Sequence, residues 1–180
     1  MADAPTALGG VVLAAMHRRD LKAVLDIEKR VFPEPWSHAV FVSELALRHG
    51  RSYKVAKLGR RVIGYRGVMF SGPEAHVTTI AVAPEYQRHG IATVLLLDAV
   101  SSSVEAGAQQ LSLEVAFSNH GAQTLYRSFG FAPVGVRKGY YQMTGEDAYV
   151  MFAYEIDSPA YAARLAGIEN GLRTRPALAR

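Results

Sequence analysis

The residues of this sequence that could do chemistry gather between Ile80 and Phe131. The stretch Ile80-Ala81-Val82-Ala83-Pro84-Glu85-Tyr86-Gln87-Arg88-His89-Gly90-Ile91-Ala92-Thr93 is an apolar strand-like run that turns into a helical pattern. A helix start presents unpaired backbone N–H groups and the positive end of the helix dipole, so it attracts anions, phosphates above all. Gly90 lets phosphate oxygens approach the backbone closely, and Ala92 is small enough not to obstruct a second approach. The stretch lacks the Gly-Lys-Ser/Thr ending of a nucleotide P-loop and the three glycines of a dinucleotide fingerprint. Taken alone, a plain strand-to-helix turn eased by Gly90 explains it as readily.

Downstream, Leu111-Ser112-Leu113-Glu114-Val115-Ala116 alternates in polarity. A strand puts Leu111, Leu113 and Val115 on one face and Ser112, Glu114 and Ala116 on the other. A carboxylate at a strand's end beside an anion cleft is a candidate general base, so Glu114 is that candidate, with a solvent-facing glutamate as the other reading. Tyr126 falls among Ala122, Leu125 and Phe129 at helical core spacing, where tyrosines ordinarily pack. Glu28 lies on the apolar stripe Leu21, Val24, Leu25 and Val31, where a charge is costly without a partner. It is a candidate to meet a substrate amine; an ion pair or an edge position is the alternative. Trp36, Tyr140 and Tyr141 are candidates for the walls of a peptide groove and equally for aromatic packing. His76 and His89 show no metal-ligand spacing and read as surface or strand-end residues, so no metal is expected. The chain has no cysteine, which excludes disulfides, thiolate zinc sites and a thiol nucleophile.

The elements that must position these residues are readable in outline. Residues 1–8 are expected to be loose. Val11 to Ala15 suits a strand. Asp20 reads as an N-cap of a helix through Leu21, Val24, Leu25 and Val31, which Phe32-Pro33-Glu34-Pro35 breaks. Ser37 caps a second helix that ends near Gly50. Tyr53–Lys57 and Arg61–Phe70 read as a hairpin, followed by a strand over His76–Val82. A helix is expected from Gly90 to Ala106, a strand over Gln110–Ala116, and a short helix carrying Ala122 to Phe129. Phe131–Val136 and Ala148–Tyr154 close the pattern as strands. This order predicts an α+β fold with a mixed central sheet of about six to seven strands, flanking helices and one parallel βαβ unit. Residues 1–156 read as a single domain and 157–180 as a C-terminal extension, a helix or a tail.

The length of 180 residues, 49% hydrophobic and 20% charged, is that of one globular domain. No apolar stretch approaches the roughly 20 residues of a membrane span, and no signal peptide is visible, so a soluble cytoplasmic protein is expected. The net charge of +4 comes from scattered groups such as His17-Arg18-Arg19 and Arg60-Arg61. Such small groups read first as a solvated surface, so a nucleic acid is not expected as a partner and no membrane association is expected either, while a phosphate-bearing cofactor would use the same charge.

Gln87-Arg88-His89-Gly90-Ile91-Ala92, after Ala81-Val82-Ala83-Pro84, resembles the acetyl-CoA signature of the GNAT acetyltransferases, Gln/Arg-x-x-Gly-x-Gly/Ala. The resemblance implies that Ile80, Ala81 and Val82 line the pantetheine arm of acetyl-CoA. It further implies that Arg88, His89, Gly90, Ile91, Ala92 and Thr93 hold the phosphates. Leu113-Glu114-Val115 followed by Ser118-Asn119 and by Leu125-Tyr126-Arg127-Ser128-Phe129-Gly130-Phe131 is similar to the RimI-type ribosomal-protein-alanine N-acetyltransferases. So are Pro35-Trp36-Ser37, Arg137-Lys138-Gly139-Tyr140-Tyr141 and Glu146-Asp147-Ala148. The likeness spans about Met16 to Phe152, and departs where Ala116 and Phe117 follow Leu-Glu-Val, a place at which the family often has Arg. It implies that Glu114 is the base, Asn119 a cofactor contact and Tyr126 the acid.

The reaction so implied is direct attack of a free amine on the thioester, with backbone N–H groups near Val82 stabilising the oxyanion. An α-amine has a reference pKa of about 7.8 and lysine about 10.4, so deprotonating lysine costs about 3.5 kcal/mol more at neutral pH. A lone carboxylate therefore suits the α-amine of a protein, with the N-terminal alanine of a ribosomal protein as the target the resemblance implies. Acetylation of a lysine or a small amine on the same fold remains open, as does a non-catalytic acyl-CoA-binding module.

Overall fold

The computed structural model describes residues 8–47 and 49–174. The loose amino terminus expected up to residue 8 and the last residues of the extension therefore lie largely outside the described residues. The elements run β1 (Val11–Ala15), α1 (Leu21–Val31), α2 (His38–Ala46), β2 (Arg51–Leu58), β3 (Arg61–Ser71), β4 (Glu74–Val82), α3 (Ile91–Glu105), β5 (Gln110–Ala116), α4 (His120–Ser128), β6 (Ala132–Tyr141), β7 (Glu146–Tyr154) and α5 (Pro159–Arg173). Among the described residues, seven strands form one sheet in the order β1-β2-β3-β4-β5-β7-β6. β4 and β5 pair parallel, joined by α3 in the expected crossover, and the other neighbours are antiparallel.

Strand alternation splits the core between the two faces. Tyr53, Val55, Tyr65 and Ala81 meet Leu21, Val24 and Ile27 of α1 and Phe41 of α2. On the opposite face, Ala75, Val77, Leu111, Leu113, Val115 and Met151 pack against Leu96 and Val100 of α3, Tyr126 of α4 and Tyr161 of α5. Arg66 of β3 is fully buried, and its guanidinium bonds to Asp98 and Ser102 of α3 and to Ser52 of β2. A buried cation is tolerable only when its donors are satisfied in this way; here the arrangement bolts α3 to the sheet. No helix among the described residues is long and apolar enough to cross a membrane.

Several boundaries differ from expectation. Asp20 does not cap α1 with its side chain; the carboxylate accepts from the His17 N–H at 2.9 Å and pairs with Lys57 at 2.9 Å, because a short 3-10 turn over Arg18–Asp20 intervenes. Ser37 does cap α2, accepting from the Val40 N–H. That helix ends at Ala46, since Leu47 leaves helical geometry at ψ 94°. β6 runs on to Tyr141 and β7 starts at Glu146, because pairing of Arg137 with Ala148 and Tyr141 with Glu146 carries the hairpin past Gly139. Residues 159–173 form a helix that packs back on the domain: the Tyr161 hydroxyl donates to the Phe129 carbonyl at 2.6 Å, and Leu172 joins Leu8 and Val11.

One irregularity positions everything that follows. The β3–β4 register slips between Gly67 and Val68, whose partners are Thr79 and Val77, so Thr78 bulges out of β4. The Thr78 hydroxyl lies 3.0 Å from the Tyr53 hydroxyl, which donates to Glu44 of α2. A Cβ on Gly67 would sit 2.3 Å from the Tyr53 ring and 2.6 Å from the Thr78 hydroxyl. Gly67→Ala is therefore expected to lose roughly 1–3 kcal/mol of stability through overpacking. Thermal or urea unfolding checks it, and an unchanged midpoint would mean that the bulge is not tightly packed.

Candidate active site

β4 and β5 pair only from Glu74–His76 to Gln110–Ser112. Beyond that point the bulged β4 leaves its neighbour, and Val77 to Val82 and Leu113 to Ala116 line a cavity of about 810 Å³. Bulges recur beside active sites because they end pairing and re-aim the chain in this way. Strands that stop pairing leave backbone groups in need of other partners, so the gap can bind an extended polar chain as a missing strand would.

At one end of the gap lies the start of α3. Ser37, Asn119 and Ser158 cap their helices with side-chain oxygens, whereas Gly90 at the head of α3 has none and adopts φ +89°, where glycine is at home. Gly90, Ile91, Ala92, Thr93 and the Arg88 side all face the cavity. An uncapped helix N-terminus beside an arginine fits a pyrophosphate. Gln87 donates through Nε2 to the Val82 carbonyl at 3.0 Å, tying this loop to the end of β4. His89 is not on the cavity wall: its exposed ring faces back to the Gln87 carbonyl at 2.7 Å. The tight turn into Gly90 points the ring outward, so a phosphate role for His89 would fall to its backbone N–H.

Glu114 reaches the gap from the face that carries α1 and α2, opposite Leu113 and Val115. Its Oε1 lies 2.8 Å from Arg137 and its Oε2 3.0 Å from Nε2 of His76. The other ring nitrogen of His76 is 2.9 Å from the Ser112 hydroxyl. Burial opposes the charge on Glu114, but His76 and Arg137 outweigh it and hold the carboxyl below its ordinary value. At neutral pH it is a fixed carboxylate.

Glu28 also lines the cavity, and its surroundings are the reverse. It is 1% exposed, so it does not sit at an edge, and among the described residues it has no ion-pair partner. One oxygen accepts the Trp36 N–H at 2.9 Å and the other accepts the Tyr65 hydroxyl. Burial without a cation raises its pKa to about 7, against a smaller lowering by the Trp36 N–H. Glu28 thus anchors the segment after α1 that presents Trp36.

Tyr126 enters from the opposite face, with the α3 and α4 core. Burial, and secondarily Tyr141, pushes its ionisation up, so it remains a phenol. Among the described residues its hydroxyl has no hydrogen-bond partner, and it borders the cavity. Ile80, Ala81, Val82, Asn119, Trp36, Tyr140 and Tyr141 border it too. The Asn119 carbonyl oxygen is already used, accepting from the Ala122 N–H as the cap of α4. Glu34 bonds across to the Met143 N–H, joining the segment after α1 to the β6–β7 turn.

The profile of the acetyltransferase (GNAT) family matches residues 21–131. The chain belongs to the GNAT family. It is an N-acetyltransferase, and enzymes of this family take the acetyl group from acetyl-CoA. The chain is 37% identical over 147 residues to the N-alpha-acetyltransferase RimI of Mycobacterium tuberculosis, covering 78% of this chain and 90% of that one. It is 33% identical over 141 residues to the [ribosomal protein bS18]-alanine N-acetyltransferase of Escherichia coli, covering 77% and 94%. The crystal structure of the ribosomal-protein-S18-alanine N-acetyltransferase of Escherichia coli superposes with a TM-score of 0.73 at 30% identity, over 81% of this chain and 94% of that one.

The GNAT motifs were visible in sequence; several of their partners were not. Tyr65, His76 and Arg137 hold the two carboxylates from other strands, and Thr78 opens the gap. Strand alternation offers one usable signal, since His76 and Glu114 both lie on polar positions of strands that the crossover makes neighbours.

Glu28 makes stability depend on pH in a definite sense. A carboxyl raised from 4.5 to about 7 on folding stabilises most below the lower value and loses that contribution as pH rises to the upper one. Wild-type stability relative to Glu28→Gln is therefore expected to fall between pH 4.5 and about 7 and to level off above. Urea unfolding of both proteins across that range measures it; a pH-independent difference contradicts the assignment.

Proposed function

We propose that this enzyme acetylates the α-amine of a protein N-terminus, with the N-terminal alanine of a ribosomal protein as the target its relatives suggest. The observation that carries the reading is the approach of Glu114 and Tyr126 to one gap from opposite faces of the sheet. Acetyl-CoA would be held by Arg88 and the α3 amides of Gly90 to Thr93, with Ile80, Ala81 and Val82 along its arm and Asn119 beside it. When bound it supplies an activated thioester acyl group.

Glu114, ionised at neutral pH, accepts the proton of the incoming ammonium through a water. An α-amine near pKa 7.8 asks about 3.5 kcal/mol less of such a base than a lysine does. Tyr126, buried and protonated, gives its phenolic proton to the departing thiolate sulfur, leaving a phenolate that water reprotonates, or stabilises that sulfur with a hydrogen bond. Trp36 and Glu28 on one side and Tyr140 and Tyr141 on the other form the acceptor walls. Residues 1–156 form the catalytic domain in this reading and residues 157–180 an extension whose helix α5 packs on it, and the enzyme works in the cytoplasm on protein rather than on nucleic acid or at a membrane.

Glu114→Gln and Tyr126→Phe are each expected to lower turnover by roughly 10²-fold or more while keeping acetyl-CoA affinity. CoA release and titration calorimetry read the two quantities; unchanged turnover in both variants sinks the assigned roles. A peptide panel with free and blocked α-amines tests the substrate. Free amines should react and blocked ones should not, and equal reaction of both removes the N-terminal reading.

A further inference from the structure

Glu146 and Asp147, at the start of β7, have no part in the chemistry above, yet three hydrogen bonds leave this pair for both rims of the cleft. The Glu146 carboxylate accepts from the Ser118 N–H at 2.6 Å. The Asp147 carbonyl accepts from the Phe117 N–H at 3.1 Å. The Asp147 carboxylate accepts from the Gly139 N–H at 2.8 Å. The first two hold the turn that leads into α4 and Tyr126. The third holds β6 at the point where its ladder fails.

The β6–β7 register slips between Arg137 and Tyr141, so the Gly139 amide has no strand partner. The Asp147 side chain replaces the missing ladder bond. Gly139 immediately precedes Tyr140 and Tyr141, which border the cavity. Their rings meet edge to face at 5.1 Å, and the Arg137 guanidinium lies 5.3 Å from the Tyr140 ring. The Asp147 carboxylate thus fixes the backbone on the Arg137 side of both tyrosines, while pairing of Tyr141 with Glu146 fixes the other side.

We infer that Asp147 is a positioning residue for acceptor recognition: by bonding the Gly139 amide it sets Tyr140 and Tyr141 as the acceptor wall. This rests on the reading of those tyrosines as the acceptor side of the cleft. The bond between β6 and β7 is exposed to solvent, where water can replace it if it is lost, so overall stability depends little on it. A water bonded to the Gly139 amide is not tethered to β7, so it would not hold the wall in register.

The experiment is a comparison of steady-state constants for wild type, Asp147→Ala and Asp147→Asn, with thermal melting of each. The acceptor is whichever amine a panel shows the wild type to use, so failure of the α-amine reading is seen first and separately. Asp147→Ala is expected to raise KM for the acceptor about tenfold, as loss of a hydrogen bond to a charged group implies, and to leave KM for acetyl-CoA within about twofold. Asp147→Asn keeps an acceptor oxygen for the Gly139 amide and should restore the acceptor KM. Hydrogen exchange over residues 139–141 should quicken in Asp147→Ala and not in Asp147→Asn. An unchanged acceptor KM in Asp147→Ala, an equal rise in both KM values, or no rescue by Asn overturns the inference. If Asp147→Ala does not fold, Asp147→Ser, with a shorter acceptor, takes its place under the same criteria.

Discussion

Two parallel strands that pair over Glu74–His76 and then separate impose the constraint on which this molecule is built. Backbone groups along a separated strand need partners, and inside a core they are costly without them. Thr78, squeezed out of β4 opposite Gly67, starts the divergence, and the hydroxyls of Tyr53 and Thr78 brace it. The gap then connects the two faces of the sheet. One face carries α3 and α4, the uncapped helix start and Tyr126; the other carries Glu114, Glu28 and the aromatic walls. Transfer between two substrates requires such a passage, because each must reach the reacting atoms without crossing the other's binding surface.

Two carboxylates on the wall of one cavity behave differently for electrostatic reasons. Glu114 has cationic or donor groups on both oxygens and keeps its charge. Glu28 has only neutral donors among the described residues, and burial raises its carboxyl to about 7. Their separation by environment suits division of labour: the proposed base stays ionised, and the buried partner of Trp36 serves the architecture of the acceptor wall. Arg66 supplies a third case. Its charge is buried entirely, satisfied by Asp98 and two serines, and spent on holding α3 against the sheet. That rigidity matters because the anion site is the first turn of the same helix.

Much of the fold was legible because it depends on local patterns. The alternation in Leu111 to Ala116, the apolar face of the helix after Gly90 and the strand–helix–strand order each express near-neighbour geometry. The less legible boundaries have identifiable causes. Asp20 reads as a cap, but a 3-10 turn redirects its carboxylate to His17 and Lys57. The sequence pattern ends the strand at Val136, while cross-strand pairing of Arg137 and Tyr141 with β7 carries β6 on to Tyr141. The ring of His89 faces the Gln87 carbonyl because the chain turns sharply there, a direction that the motif itself does not specify.

The sequence by itself determined the family, through the order of Gln87 to Ala92 between strand and helix, and with it the expectation of acetyl-CoA. It also carried both carboxylates, the tyrosine and the aromatic pairs, for which residue identity and short spacing suffice. Only the tertiary structure decided what surrounds them. His76 and Arg137 reach Glu114 from β4 and β6, Tyr65 and the Trp36 amide close on Glu28, and Asp147 holds Gly139 across a register slip. These contacts join residues far apart in the chain and depend on which strands become neighbours and where pairing fails. Ionisation and orientation follow from such neighbours, so they come into being only when the sheet closes.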